Sequence, residues 1–279
     1  MTTTLITGGN KGLGRETARR LLAEGHTVWI GARDETRGRQ AADELGARFV
    51  QLDVTDDASV AAAAQTVGAA GGLDVLVNNA GIAGPHTDPA ELTGADALTV
   101  LDTNVAGIVR TTSAFLPLLR GSAAPAIVNV TSGLGSFHAV HDASRIESTV
   151  VAPLYTASKS AVTMLTVQYA KALPGIRVNA ADPGYTATDL NANSGPQTVT
   201  EGTDAVVALA LQGADGPTGT FTDRDGTAPS DPSVDQGCAG LRPPAPDLVQ
   251  EDGPSCTPDH RYPPGRGGPR DGGGREAGH

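Results

Sequence analysis

Two kinds of segment alternate along the first 221 residues: short apolar runs, and longer stretches whose apolar residues recur at helical spacing. Residues 3–7 are apolar, β-branched and followed directly by glycines, which predicts a buried strand that ends in a turn. In residues 16–24, Ala18, Leu21 and Leu22 share one face and Gly25 follows, which predicts a helix. The same patterns predict strands at 3–7, 27–30, 49–52, 75–77, 126–130, 177–181 and 219–221, and helices at 16–24, 35–45, 58–67, 95–119, 155–173 and 203–211.

Strands that alternate with helices in this way are typical of βαβ units. We therefore expect an α/β fold with a single Rossmann-type, doubly wound parallel sheet that has helices on both faces. In such sheets, ligands bind beyond the carboxyl ends of the strands. The residues that directly follow each predicted strand are thus the first candidates for a functional site.

The composition changes near residue 229. Residues 1–228 have the pattern of one domain. In residues 229–279, 20 of 51 residues are proline or glycine, and only four are Ile, Val, Leu, Met or Phe. Because such a segment buries too little apolar surface to offset its ordering entropy, we expect a disordered tail without function. One hypothesis is that the tail is frame-shifted or read-through sequence.

The net charge of −11 argues against a general affinity for nucleic acid or anionic membranes. No run of 18 apolar residues and no signal peptide is recognisable, so we expect no membrane partner. Cys238 and Cys256 are the only cysteines, too few for a disulfide framework. His86, His138 and His141 show no paired metal-binding spacing, so we expect no metal. A cytoplasmic protein is the simplest interpretation.

The loop after the first predicted strand reads TGGNKGLG and leads into a helix. Its glycines allow a tight turn and let backbone N–H groups approach a pyrophosphate, and the helix N-terminus adds positive potential. A glycine-rich turn alone is weak evidence, but one between a strand and a helix predicts a dinucleotide site. The candidate cofactor-binding residues here are Gly8, Asn10, Lys11, Gly12, Leu13 and Gly14.

The end of the second strand indicates which dinucleotide binds. NAD-binding units place an acidic residue about 20 residues after the loop, whereas an arginine there favours a 2′-phosphate. Here Ala32 holds that position and Arg33 follows, with Lys11 as a second cation. Asp34 is an ambiguity, because it could neutralise Arg33 or bind a ribose itself. We expect NADP(H) rather than NAD, and a solvated Arg33 without a ligand is the plain alternative.

Tyr155 and Lys159 open a predicted helix with i, i+4 spacing, which places them on one face. A nearby ammonium favours a phenolate, so we expect the pKa of Tyr155 to fall toward neutral pH. A phenol of this kind can donate a proton to a carbonyl oxygen. Taken alone, this spacing is explained equally well without catalysis, by a half-buried tyrosine beside a lysine whose aliphatic stem is buried.

Four motifs occur in order: TGxxxGxG, NNAG at 78–81, a serine after a strand, and YxxxK. Together they resemble the short-chain dehydrogenase/reductase family over residues 3–228. The runs TGGNKGLGRE and ARDETRGRQAADEL resemble its NADPH-dependent carbonyl reductases. The resemblance implies the NADPH-dependent reduction of a small aldehyde or ketone by a cofactor-bound enzyme.

The resemblance also implies roles for the matching residues. Ser132 would polarise the substrate carbonyl, Tyr155 would be the acid/base, and Lys159 would lower its pKa and bind the nicotinamide ribose. Asn104 would hold a water for a proton relay, although an asparagine bonded to backbone is a plain alternative. Further cofactor contacts would come from Asp53, Val54, Asn79, Ala80, Gly81, Pro183, Gly184, Thr186 and Thr188; several of these also suit ordinary turns.

Two departures from the family pattern matter. Ser132 and Tyr155 are 23 positions apart, which is longer than usual, and the polar insertion at 138–149 could cap the site and favour a monomer. Ser136 is therefore a rival for the serine role, and we prefer Ser132 because it directly follows the strand. The second departure is the tail, because similar reductases end soon after a segment like GTFTDRDG at 219–226.

Three alternatives to a carbonyl reductase remain open. One is an NAD-dependent alcohol dehydrogenase of the same family. Another is a cofactor-binding regulator without catalysis. The third is a variant whose tail impairs folding or assembly. The sequence decides neither the substrate nor whether the protein is a monomer or a homo-oligomer.

Overall fold

The computed structural model describes residues 1–227. The strands are β1 Thr3–Thr7, β2 Thr27–Ala32, β3 Arg48–Gln51, β4 Val75–Asn78, β5 Ala126–Val130, β6 Arg177–Ala181, β7 Phe221–Asp223 and β8 Gly226–Thr227. The helices are α1 Gly12–Ala23, α2 Glu35–Leu45, α3 Asp57–Ala69, α4 Gly94–Leu101, α5 Gly107–Leu119, α6 Phe137–His141, α7 Pro153–Ala172, α8 Val199–Gly202 and α9 Asp204–Leu211. The expected tail at 229–279 lies outside the described residues.

The strands form one sheet in the order β3-β2-β1-β4-β5-β6-β7-β8. Strands β1 to β7 run parallel, and the short β8 pairs antiparallel with β7. The strand order reverses between β1 and β4, which is the topological switch point where such folds bind nucleotides. The predicted Rossmann-type parallel sheet is confirmed, with an added antiparallel edge strand.

Alternate residues of the central strands enter two separate cores, because successive side chains of a strand point to opposite faces. Ile6 and Val77 lie in the core that α1, α2 and α9 cover. Leu5 and Leu76 lie in the other core, which α3, α5 and α7 cover. Both faces of the sheet are therefore buried, which explains why its strands are continuous apolar runs rather than alternating ones.

Several predicted elements have different bounds in the structure; the helix predicted at 16–24, for example, begins at Gly12. The last parallel strand begins at Phe221 rather than 219, because Gly219 has a φ of 76° and its N–H donates to the Val178 carbonyl (2.8 Å), so residue 219 is part of the turn into β7. The single predicted helix at 95–119 contains a π-helical turn, Asp102–Ala106, between α4 and α5. The helix predicted at 203–211 starts one residue later and is preceded by the short α8.

No helix within residues 1–227 is both long enough and apolar enough to cross a membrane.

Candidate active site

The glycine-rich loop between β1 and α1 is held open by its glycines. Gly8 and Gly12 have φ values of 66° and 52°, in the left-handed region that favours glycine. A Cβ atom on Gly14 would lie 2.5 Å from Asn79 Nδ2 and 2.6 Å from the Gly8 carbonyl oxygen. Helix α1 starts at Gly12, so its free N–H groups open onto the same loop. The loop is thus a backbone-lined cradle at the end of β1.

The segment after β4 fixes the shape of this loop. The Asn79 side-chain amide donates to the Thr7 carbonyl (2.9 Å) and to the Gly8 carbonyl (3.3 Å). In return, the Thr7 hydroxyl accepts from the backbone N–H groups of Asn79 and Ala80, both at 3.0 Å. Asn79 therefore holds the loop after β1 in place through hydrogen bonds to its backbone. A residue that served only a local turn after β4 would not make these bonds.

Two cations lie at the rim of the cradle. The Arg33 side chain is 78% exposed, and its Nε is 4.0 Å from Asp53 Oδ2, a distant and weak ion pair. Lys11 Nζ is 3.1 Å from Asp189 Oδ2, and both side chains are exposed. Asp53 lies just after β3, beside Arg33.

Asp34 does not neutralise Arg33. Its carboxylate caps α2 by accepting from the Arg37 backbone N–H (2.9 Å), and it pairs with the Arg37 guanidinium (2.9 Å). These hydrogen bonds hold the pKa of Asp34 below its usual value. Helix capping therefore engages Asp34 with Arg37 rather than with Arg33.

Tyr155 and Lys159 lie in the first turns of α7, which begins at Pro153, a residue suited to the first helical position. Lys159 is buried, and its ammonium donates to the Val130 carbonyl at the end of β5 (2.9 Å). The same ammonium lies 5.5 Å from the centroid of the Tyr155 ring. The Ser132 hydroxyl, two residues beyond Val130, lies within hydrogen-bonding reach of the Tyr155 side chain. The three side chains thus converge beside the carboxyl end of β5.

The expected fall in the pKa of Tyr155 is wrong for this structure. Burial of the hydroxyl raises the pKa of Tyr155 to about 12, the charge of Asp182 adds to the rise, and the hydrogen bond with Ser132 opposes it. Burial also lowers the pKa of Lys159 to about 8, a fall that the charge of Asp182 opposes.

Asn104 is buried in the π-helical turn between α4 and α5. Its side-chain oxygen accepts from the Ile82 N–H (2.8 Å), and its amide donates to the Ile82 carbonyl (2.9 Å) and to the Ser158 hydroxyl (2.9 Å). A Cβ on Gly81 would lie 3.3 Å from Asn104 Oδ1 and 3.7 Å from Lys159 Nζ. Asn104 therefore connects the segment after β4 to α7, close to Lys159.

The two candidate serines have different surroundings. Ser132 accepts from the Leu134 N–H (3.2 Å) and lies against Tyr155. Ser136 accepts from the Ala139 N–H (3.2 Å) and caps α6, the helix that opens the insertion. This arrangement agrees with the preference for Ser132, because Ser132 is the serine that lies against Tyr155.

The remaining predicted cofactor residues separate into two groups. Thr188 lies over the cradle, 3.9 Å from the position of a Cβ on Gly12. Thr186 is buried, and its hydroxyl donates to the Pro183 carbonyl (2.8 Å) while its side chain packs against Gly202. Val54 is likewise buried, against Gly107 of α5. Thr188 is therefore better placed for a ligand than Thr186 or Val54.

Three polar residues near the site were missed by the sequence analysis. Asp182 follows β6 directly and is only 3% exposed. Glu147 of the insertion and Gln197 line with it a cavity of about 310 Å³, and Gln197 lies against Gly184. In the sequence, the one feature that could have marked Asp182 was its charge, placed between an apolar strand and Pro183-Gly184. Nothing local marked Glu147 or Gln197, because the fold brings them in from distant segments.

The model of the short-chain dehydrogenase family matches residues 2–198. The chain belongs to this family. It is 34% identical to short-chain dehydrogenase/reductase 1 of Saponaria officinalis, over 81% of this chain and 95% of the relative. Among solved structures, this short-chain dehydrogenase resembles NADPH-bound carbonyl reductase from chicken fatty liver, with a TM-score of 0.73 and 29% identity over 82% of this chain and 99% of that one.

A second solved structure of similar likeness is salutaridine reductase from Papaver somniferum. The TM-score is 0.71 and the identity 29%, over 79% of this short-chain dehydrogenase and 99% of that chain. The family consists of oxidoreductases that use nicotinamide cofactors. The cradle of this member fits such a group, because Gly14 has no room for a Cβ beside the helix N-terminus.

Proposed function

We propose that this short-chain dehydrogenase is a carbonyl reductase that uses NADPH to reduce an aldehyde or ketone, with Tyr155 as the proton donor. The observation that carries the proposal is the convergence of the Ser132 hydroxyl, the Tyr155 phenol and the Lys159 ammonium beside the end of β5. A carbonyl oxygen placed among them receives a hydrogen bond and a proton from adjacent groups.

Each side chain has a separate task in this proposal. The Ser132 hydroxyl donates to the substrate carbonyl oxygen and orients it, and the Tyr155 hydroxyl gives that oxygen its proton. Because burial keeps the pKa of Tyr155 at about 12, the phenol remains protonated at neutral pH. The Lys159 ammonium stabilises the phenolate that remains after the transfer. When bound, the reduced nicotinamide supplies the hydride.

The preference for NADPH rests on the rim of the cradle. Ala32 stands where an NAD-specific site places a carboxylate, and the exposed Arg33 and Lys11 offer positive charge for a 2′-phosphate. Asp34, the nearest carboxylate in sequence, is engaged with Arg37. A cytoplasmic location, expected from the sequence, is part of the same proposal.

The proposed chemistry is tested by following NADPH oxidation at 340 nm with a panel of aldehydes, ketones and quinones. We expect turnover that falls by a factor of about 10² or more in Tyr155→Phe, because general-acid catalysis contributes on that order. NADPH binding should be retained. Tyr169→Phe is the matched control, since this half-buried tyrosine lies on the same helix and packs in the core.

Turnover retained in Tyr155→Phe would contradict the assignment of the proton donor. Tight NADPH binding without turnover in the unaltered chain would favour a regulator or a chain impaired by its tail. The chain cut after Gly226 separates those two, because recovery of turnover on truncation implicates the tail.

The cofactor preference is tested separately with Arg33→Ala. A charge-assisted hydrogen bond contributes about 1.5–3 kcal/mol, so we expect the ratio of kcat/KM for NADPH over NADH to fall about tenfold or more. Arg37→Ala is the control, because Arg37 pairs with Asp34 at the start of the same helix. An unchanged ratio, with NADH preferred throughout, would replace the proposal with an NAD-dependent alcohol dehydrogenase.

A further inference from the structure

Asp182 is a buried carboxylate that the proposed reaction does not use. It follows β6 directly and precedes Pro183-Gly184, and its own N–H donates to the Thr222 carbonyl of β7 (2.8 Å). Its side chain is enclosed, with 3% of the residue exposed. A carboxylate in such a position is costly unless its surroundings compensate it. The hydrogen bonds and charges around Asp182 must therefore compensate its burial.

The Asp182 carboxylate connects two loops of the site. Oδ1 accepts from the Gly184 N–H (2.9 Å), in the turn after β6. Oδ2 lies beside the backbone of Gly133, the residue directly after Ser132, and the Gly133 N–H helps to lower the pKa of Asp182. A Cβ on Gly133 would lie 2.9 Å from Asp182 Oδ2, so this approach requires the glycine. One side chain thus links the serine loop after β5 to the glycine turn after β6.

The sheet also brings Asp182 close to the buried lysine. Val130 of β5 pairs with Ala181 of β6, and Lys159 donates to the carbonyl of that same Val130. Lys159 is 5% exposed, so its ammonium has lost most of its hydration. The charge of Asp182 raises the pKa of Lys159 and so opposes the effect of burial. Asp182, one residue beyond the paired Val130 and Ala181, is therefore well placed to compensate the buried charge of Lys159.

Other charged groups face Asp182 from the neighbouring elements. Glu147 of the insertion is engaged with Arg145, whose guanidinium lies 2.9 Å from Glu147 Oε1. Burial raises the pKa of Asp182, the N–H groups of Gly184 and Gly133 oppose this rise, and the charges of Glu147 and of Asp223 in β7 add to it. Asp223 is less buried and accepts from the Asp225 N–H (2.9 Å). Of these carboxylates, Asp182 is the one whose charge acts on Lys159.

We propose that Asp182 is a positioning residue whose carboxylate ties the Ser132 loop to the Gly184 turn and whose negative charge is the buried counter-charge of the Lys159 ammonium. The catalytic part of this inference rests on the proposed function, since it concerns the lysine beside the proton donor. The electrostatic part concerns the folded chain alone. It can therefore be measured without turnover.

The chain contains three lysines, Lys11, Lys159 and Lys171. Labelling lysine with ¹³C at Cε therefore gives few NMR signals, and Lys159→Arg identifies that of Lys159. In the unaltered chain the signal should titrate with a pKa of about 8. In Asp182→Asn we expect the midpoint to fall by about one pH unit, because an opposite charge has been removed from a buried ammonium.

Asp223→Asn is the matched control, because it removes the same charge from the same cavity without touching Gly133 or Gly184. It should leave the midpoint within about 0.3 of a pH unit of the original. An unchanged midpoint in Asp182→Asn, or equal falls in both variants, would overturn the proposal. Asp182→Ser, which keeps a small acceptor for Gly184, is used if thermal melting shows that Asp182→Asn does not fold.

The pH profile of kcat/KM for reduction gives a second readout. In Asp182→Asn the decline at high pH should begin about one unit lower, since Lys159 loses its proton earlier. A merely structural role would lower the rate at every pH without moving the profile. If the unaltered chain reduces no carbonyl compound, the proposed function fails, while the NMR titration still decides the role of Asp182.

Discussion

Gly14→Ala tests the claim that the cradle is shaped by close backbone contact. Gly14 is the third residue of α1, where helix propensity alone favours alanine over glycine by about 1 kcal/mol. An added Cβ would lie 2.5 Å from Asn79 Nδ2, 2.6 Å from the Gly8 carbonyl oxygen and 3.0 Å from Gly9 Cα. Two of these three atoms are backbone, so they cannot rotate away. Helix propensity therefore predicts that Gly14→Ala raises the free energy of unfolding, whereas packing predicts that it lowers it.

The packing effect should win. Forcing one extra carbon into a well-packed site costs about 1–3 kcal/mol, which exceeds the gain from propensity at most values in that range. We therefore expect the free energy of unfolding to fall by about 1 kcal/mol. The displaced Gly8 and Gly9 would also misplace the N–H groups of the cradle, so the Kd for NADPH should rise about tenfold or more.

The assays are urea unfolding and a direct NADPH titration, with Gly94→Ala as the matched control. Gly94 is the first residue of α4, and nothing lies within 4 Å of the position of its Cβ. The control should keep its stability and its NADPH affinity. Gly14→Ala that is as stable as the unaltered chain and binds NADPH equally well would refute the argument from close contact.

Three further predictions follow from the site and the core. Ser132→Ala should lower kcat about 10²-fold or more, whereas Ser136→Ala should lower it far less; equal losses in steady-state assays would contradict the choice of serine. Phe115→Ala, at a fully buried position, should cost about 3–5 kcal/mol in urea unfolding, while Val109→Ala on the exposed face of α5 should cost little. Lys159→Met should raise the free energy of unfolding at pH 7 by up to about 3 kcal/mol, because the folded-state pKa of about 8 lies below the unfolded value of 10.5. That gain should shrink as the pH rises through this window, since the unfolded chain then binds the extra protons, and a gain independent of pH would disprove the linkage.

Local pattern was sufficient for much of this protein. The apolar runs and helical periods predicted the strands and helices of the sheet, because secondary structure depends on spacings that are visible within a few residues. The glycine spacing at 8, 12 and 14 predicted the cradle, since positive φ angles and close backbone approach both require glycine. The i, i+4 spacing likewise placed Tyr155 and Lys159 on one face of α7.

The pKa values of the site residues depend on how deeply each residue is buried. The spacing of residues along the sequence does not reveal that burial. A tyrosine and a lysine four residues apart predicted a lowered tyrosine pKa, yet burial raises the pKa of Tyr155. The direction depends on how much water remains around each group and on the charge of Asp182, which arrives from another strand. In the sequence, Asp34 was similarly a candidate partner for Arg33, but in the structure it caps α2 and pairs with Arg37.

The sequence by itself determined the elements, the fold class and the residues with the chemistry for a nucleotide and a carbonyl group, because each depends on local spacing. Only the tertiary structure decided which of these residues meet. Strand order placed β5 beside β6, so that Asp182 joined the loop of Ser132, and the π-helical turn carried Asn104 to Ser158. Contacts between distant segments are set by the packing of the whole sheet, and no local pattern encodes them.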